Sequence, residues 1–157
     1  MKVRYNTPAD LLMPPEREAG TSFMVQEPFT VPVPEPFAVI SRIKEGFSTE
    51  YLSGILVKLG LTYESLAPLL GTSPVSLSRW AKAGKRLDAQ VSEAALKIQE
   101  LADLANAVLG SLDAAEQWFK MPNFGLGNRR PLDLLDTETG RGIVRRQLLA
   151  LEHSLGF

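Results

Sequence analysis

Between Asp88 and Gly110 the apolar residues recur at three- and four-residue spacing: Val91, Ala94, Ala95, Ile98, Leu101, Ala102, Ala105, Val108 and Leu109. That period places them on one face of an α-helix of about five turns. A strand would need every second residue to be apolar, and this stretch does not supply that pattern. Asp88 stands where a side chain can cap the first turn, and Gly110 where a left-handed residue can close the last. No alternating apolar–polar run of any length occurs elsewhere, and no internal repeat. The fold class read from the sequence is therefore all-α.

The beginning of the chain is of another kind. Seven of the eleven prolines, Pro8, Pro14, Pro15, Pro28, Pro32, Pro34 and Pro36, fall in the first 36 residues. Proline fixes φ and lacks an N–H, so this stretch cannot build regular helix or central strand. It reads as an extended arm, residues 1–36. It is either a disordered tail or a segment that crosses onto a partner chain to cover Phe23, Met24 and Phe29.

From Phe37 onward the punctuation is helical. Phe37 to Glu45 reads as a short helix ended by Gly46. Ser48 is placed to cap a second helix with inward face Tyr51, Leu52, Ile55, Leu56 and Leu59, which Gly60 closes. Asp113 with Glu116 resembles a capping box for a helix carrying Trp118 and Phe119, of which Trp118 is read as core. A loop runs from Met121 to Arg130. Pro131 then opens a short helix with Leu132, Leu134 and Leu135. Thr137 caps a final helix whose apolar face is Ile143, Val144, Leu148, Leu151 and Leu155.

The stretch Tyr63–Lys82, YESLAPLLGTSPVSLSRWAK, carries the pattern of a helix-turn-helix. Such a motif needs a small residue where the two helices cross, which Ala67 provides. It also needs a turn residue tolerant of left-handed dihedrals, which Gly71 provides. Leu66, Leu70, Leu77 and Trp80 are spaced to face inward. Ser73 is an N-cap and Pro74 the favoured first helical residue of the second helix. Its positive dipole end then points outward beside Val75, Ser76, Ser78, Arg79 and Lys82. Short side chains there allow close approach to a major groove, and an arginine fork can bridge guanine O6 and N7. Lys82, Lys85 and Arg86 are placed to meet phosphates, which position a protein without reading sequence. The DNA-binding candidates are thus Ser73, Val75, Ser76, Ser78, Arg79, Lys82, Lys85 and Arg86, and the partner is double-stranded operator DNA.

Charge and composition agree with a local basic patch. The formal net charge is -1, yet every charged side chain in Ser73–Arg86 is positive. One recognition helix buries little surface, so a homodimer reading a palindrome is the physical expectation. There is no cysteine and a single histidine, His153. That argues against a thiolate or histidine metal site, a cysteine nucleophile and a Ser-His-Asp triad. Asp133 and Asp136 read as helix-end charges, and Gly125–Arg130 as a turn, without the lysine–serine tail of a phosphate loop. No catalytic residue, metal or cofactor is assigned. The N-terminus lacks a basic-then-apolar leader, and no apolar run reaches the ~18 residues that span a bilayer. The expectation is a cytoplasmic chain without membrane contact.

The C-terminal residues carry a resemblance. Trp118, Pro122, Leu126-Gly127, the string Arg130-Pro131-Leu132-Asp133-Leu134-Leu135-Asp136-Thr137, Gly140, Val144, Leu148 and Leu151-Glu152-His153 are similar to the toxin-binding domain of the Xre/MbcA/ParS antitoxins, partners of RES-domain toxins. The resemblance covers about Phe37 to Phe157 and leaves the Pro-rich arm without a counterpart. After His153 this chain has Ser154 where the family usually has glycine.

The resemblance implies a dimeric antitoxin that binds its own promoter and masks a toxin that destroys NAD, in a larger toxin–antitoxin complex. It further implies a DNA-binding and dimerisation domain at residues 37–110 and a toxin-binding domain at residues 111–157. The toxin-binding candidates are Arg129, Arg130, Arg141, Arg145, Glu152, His153, Leu155, Gly156 and Phe157, with Phe157 beside the terminal carboxylate as a mimic of a base beside a phosphate. A stand-alone regulator whose C-terminal part only oligomerises is the alternative.

Overall fold

The computed structural model describes residues 35–156, which fall within one compact unit. Helix α1 spans Glu35–Glu45. It starts two residues earlier than the proline pattern suggests, because a proline at position 36 sits in a first turn, where its missing N–H has no intrahelical partner to lose. The rest of the arm, with Phe23, Met24 and Phe29, lies outside the described residues, as does Phe157.

After a 3₁₀ turn at Thr49–Tyr51 come α2 (Leu52–Leu59), α3 (Tyr63–Leu69), α4 (Pro74–Lys82) and α5 (Ala89–Leu109). Then follow α6 (Leu112–Lys120), 3₁₀ turns at Phe124–Leu126 and Pro131–Leu134, and α7 (Glu138–Ser154). The described residues contain no strand; Asn123 and Arg129 form an isolated bridge. The all-α expectation holds.

Helix α5 is the axis of the fold and touches α1, α2, α6 and α7. Its capping is as expected: Asp88 accepts a hydrogen bond from the Val91 N–H at 2.8 Å, and Gly110 closes the helix in the left-handed region. The apolar stripe is buried, apart from half-buried Leu109. Ser92 is fully buried in the same seam, where its Oγ accepts from the Phe47 N–H at 2.9 Å. A hydroxyl there satisfies the backbone of the turn after α1.

Four local expectations change. Ser48 has extended backbone but makes no side-chain cap; the chain enters α2 through the 3₁₀ turn instead. The cap of α6 is Ser111, whose Oγ accepts from the Ala114 N–H at 3.1 Å. Asp113 merely lies in the first turn, and Glu116 pairs with Lys120. Phe119, not Trp118, is the fully buried aromatic of α6. Trp118 is half-buried and meets the Phe119 ring edge-on, with centroids 5.2 Å apart. Leu155 lies past the end of α7 and is 55% exposed, so the apolar face stops at Leu151.

The α7 N-terminus is set tightly against the preceding turn. Thr137 Oγ1 accepts from the Gly140 N–H at 3.0 Å, and a Cβ on Gly140 would collide with the Leu134 carbonyl. Only glycine lets the helix start this close. No helix among the described residues is long and apolar enough to cross a membrane.

Candidate functional site

The helix-turn-helix is built from both of its ends. Thr62 and Ser65 form a reciprocal capping box at the start of α3: Thr62 Oγ1 accepts from the Ser65 N–H, and Ser65 Oγ accepts from the Thr62 N–H at 3.0 Å. Ala67 is fully buried where α3 meets α4, and Gly71 turns the chain at φ +73°. Leu66, Leu70 and Leu77 are buried as expected. Trp80 is only half-buried, packed on the core from its edge.

At the start of α4, Ser73 Oγ accepts from the Ser76 N–H at 3.1 Å and donates to Ser76 Oγ at 3.0 Å. Ser76 is thereby half-buried and occupied by the cap, so it does not stand on the open face. Val75 is 76% exposed, and Ser78, Arg79, Lys82 and Lys85 are exposed with it. Among the described residues no carboxylate pairs with these three cations. A hollow of about 880 Å³ runs between the start of α3 and this face, lined by Tyr63, Glu64, Val75, Ser78, Arg79 and Lys82.

Arg86 is also engaged within the fold. Its Nη1 donates to the Gly46 carbonyl at 2.6 Å, pinning the turn after α4 to the turn after α1. With Arg42 and Ser48 it lines a separate hollow of about 310 Å³.

In the C-terminal part the structure separates free cations from engaged ones. Arg130 forms a two-pronged pair with Asp133, Nε to Oδ2 at 2.8 Å and Nη2 to Oδ1 at 2.6 Å. That hydrogen bonding holds the Asp133 carboxyl below the usual carboxylate range and raises the guanidinium further. Arg141 is 13% exposed and donates to the Leu135 carbonyl and to Glu138. Arg130 stays exposed while paired, and Arg141 is largely covered. Both brace the turn before α7.

Arg129 and Arg145 are exposed, Arg145 beside Lys97 and Glu100 in a hollow of about 210 Å³ between α5 and α7. Glu152 is half-buried, while His153, Leu155 and Gly156 are exposed; Phe157 is outside the described residues. Two further side chains escape the sequence pattern: Phe124, which is 96% exposed, and Met121, 61% exposed. Loops carry no periodicity from which exposure can be read; the one available signal is a bulky aromatic between Asn123 and Gly125.

Residues 38–100 match the family model of the Antitoxin Xre-like helix-turn-helix domain. Residues 104–153 match that of the Antitoxin Xre/MbcA/ParS C-terminal toxin-binding domain. Over 86 residues the chain is 36% identical to the mycobacterial cidal antitoxin MbcA of Mycobacterium tuberculosis, covering 54% of this chain and 74% of that protein. The chain belongs to the Xre/MbcA/ParS antitoxin family.

The Antitoxin Xre of Yersinia enterocolitica is 27% identical over 156 residues, 99% of each chain, so in this family the Pro-rich segment does have an aligned counterpart. A chain of the M. tuberculosis MbcT–MbcA toxin–antitoxin complex superposes with a TM-score of 0.52 at 26% identity, covering 69% of this antitoxin and 96% of that chain. The two family matches meet within α5, which packs on α2, α6 and α7.

Proposed function

We propose that this antitoxin neutralises a cognate RES-domain toxin that degrades NAD, and that as a homodimer it represses its own operon. It acts by occupying surfaces and contributes no reacting group. Residues 37–110 bind DNA and dimerise, and residues 111–157 hold the toxin.

The observation that carries this reading is the joining, through α5, of a helix-turn-helix match to a toxin-binding-domain match. The bare face of α4 supports the DNA half: a capped helix N-terminus beside Val75, Ser78, Arg79 and Lys82 suits a major groove. The likeness to a chain of the MbcT–MbcA complex supports the toxin half. The last turn of α7 with exposed His153, and Leu155 just past it, offer an end that can enter a cleft.

Co-expression with the neighbouring gene product, expected to be a RES-domain toxin, tests the reading. Copurification, restored growth and restored cellular NAD are expected. Removal of residues 154–157 should weaken neutralisation while leaving operator binding intact. Neutralisation at full strength without those residues would remove the tail from the mechanism.

A further inference from the structure

We propose that the loop tip at Phe124 is the apolar anchor with which this antitoxin grips its toxin, seated in a ring-sized apolar recess on that partner. The proposal rests on the toxin-neutralising reading above and names a contact within it.

Phe124 is 96% exposed, and the loop presenting it is rigidly built. Asn123 Oδ1 accepts from the Gly125 N–H at 2.8 Å, and the Asn123 carbonyl accepts from both Leu126 and Asn128 at 3.0 Å. The Asn123 N–H donates to the Arg129 carbonyl at 3.0 Å, closing the loop's base. Gly127 and Asn128 both take left-handed backbone, Asn128 being the one non-glycine residue to do so among the described residues. Below the ring, Leu126 is buried, and Gly125 sits where a Cβ would strike the Gln147 side chain of α7.

Loop and helix therefore fix the backbone that presents the phenylalanine outward. A backbone ordered before binding lowers the cost of association, and aromatic side chains are enriched at protein–protein interfaces.

The occupant is argued from position and shape. Phe124 lies inside residues 104–153, the stretch matched to a toxin-binding domain. The tip is convex, with Met121 exposed before it and Arg129 after it, so its complement is a recess with a carboxylate at the rim. A second copy of this chain offers the hollow beside α4, but filling it would cover Arg79 and Lys82, the face that the DNA reading needs free.

The test uses the full-length antitoxin and its cognate toxin. Phe124→Asp is expected to weaken their affinity by about 30-fold or more, and Phe124→Trp to keep it close to the parent. Operator binding and thermal unfolding of both variants should match the parent, since the side chain touches little of its own fold. Toxin affinity within about twofold of the parent for Phe124→Asp overturns the proposal. So does a loss of self-association without loss of toxin binding, which would give the ring to a second copy. A parent that binds no toxin overturns the functional reading as well, and the two failures are thereby distinguished.

Discussion

The Arg141 guanidinium reaches back over the α7 N-terminus to donate to the Leu135 carbonyl at 2.8 Å, and it is nearly closed off from solvent. Its loss strands a part-buried carbonyl at the point where the Pro131–Leu134 turn meets α7. Arg141→Ala is expected to lower unfolding free energy by ~1–3 kcal/mol in urea titration. Arg145→Ala, on the exposed side of the same helix, should stay within about 0.5 kcal/mol of the parent. Equal stability for the two variants would make Arg141 a free contact after all.

Arg79 and Lys85 should part company on DNA. Arg79 stands on the exposed face of α4, and Lys85 lies in the turn beyond it. Arg79→Ala is expected to cost ~1–3 kcal/mol on the operator and to relax base preference at one position. Lys85→Ala should weaken operator and random duplex alike and lower the salt slope by about one. Titrations at several salt concentrations separate them. Equal losses on operator and random DNA for Arg79→Ala would deny it base reading.

What is legible in the sequence is what depends on neighbours along the chain. The α5 stripe, the Ser73–Pro74 start, the Thr137 cap and the turn at Gly71 are each set within four or five residues, and all are found. Errors arise where two nearby residues compete for one role. Ser111 and Asp113 can both cap, and the shorter hydroxyl at the earlier position wins. Trp118 and Phe119 can both be core, and the register of α6 buries the second. The site is less legible than the fold. Whether Arg141 is free or engaged depends on a carbonyl six residues away folding over it, and Phe124 stands out because of how its loop is closed.

The Arg130–Asp133 pair gives an acid-side signature. Its hydrogen bonds depress the Asp133 pKa in the folded chain. The pair's stabilisation is therefore fully present above the unfolded carboxyl value of about 3.9 and is lost as pH falls through the lower folded value. Both partners are about half exposed, 50% and 48%, so the effect is small. Asp133→Asn should be slightly less stable than the parent at neutral pH, and the two unfolding curves should converge as pH falls below the ordinary carboxyl range. A gap that stays constant as the pH falls past that range would mean that the carboxylate's charge is irrelevant there.

The α6 cap distinguishes two residues of similar chemistry standing close together. Ser111 Oγ satisfies the Ala114 N–H, one of the orphan donors of the first turn, whereas Asp113 makes no side-chain hydrogen bond among the described residues and acts only through its charge near the positive helix end. Ser111→Ala is expected to destabilise the antitoxin by ~1 kcal/mol, and Ser111→Asp to restore most of that. Asp113→Ala should cost about 0.3–1 kcal/mol at low ionic strength, and less as salt is added. Because α6 packs on α2 and α5 as well as on the Pro131–Leu134 turn, fraying its first turn loosens the junction of the two matched regions. The Ser111→Ala loss should therefore appear in global unfolding, with hydrogen exchange faster at Ala114 and its neighbours. A salt-independent loss for Asp113→Ala that exceeds the loss for Ser111→Ala would reinstate the aspartate as the cap.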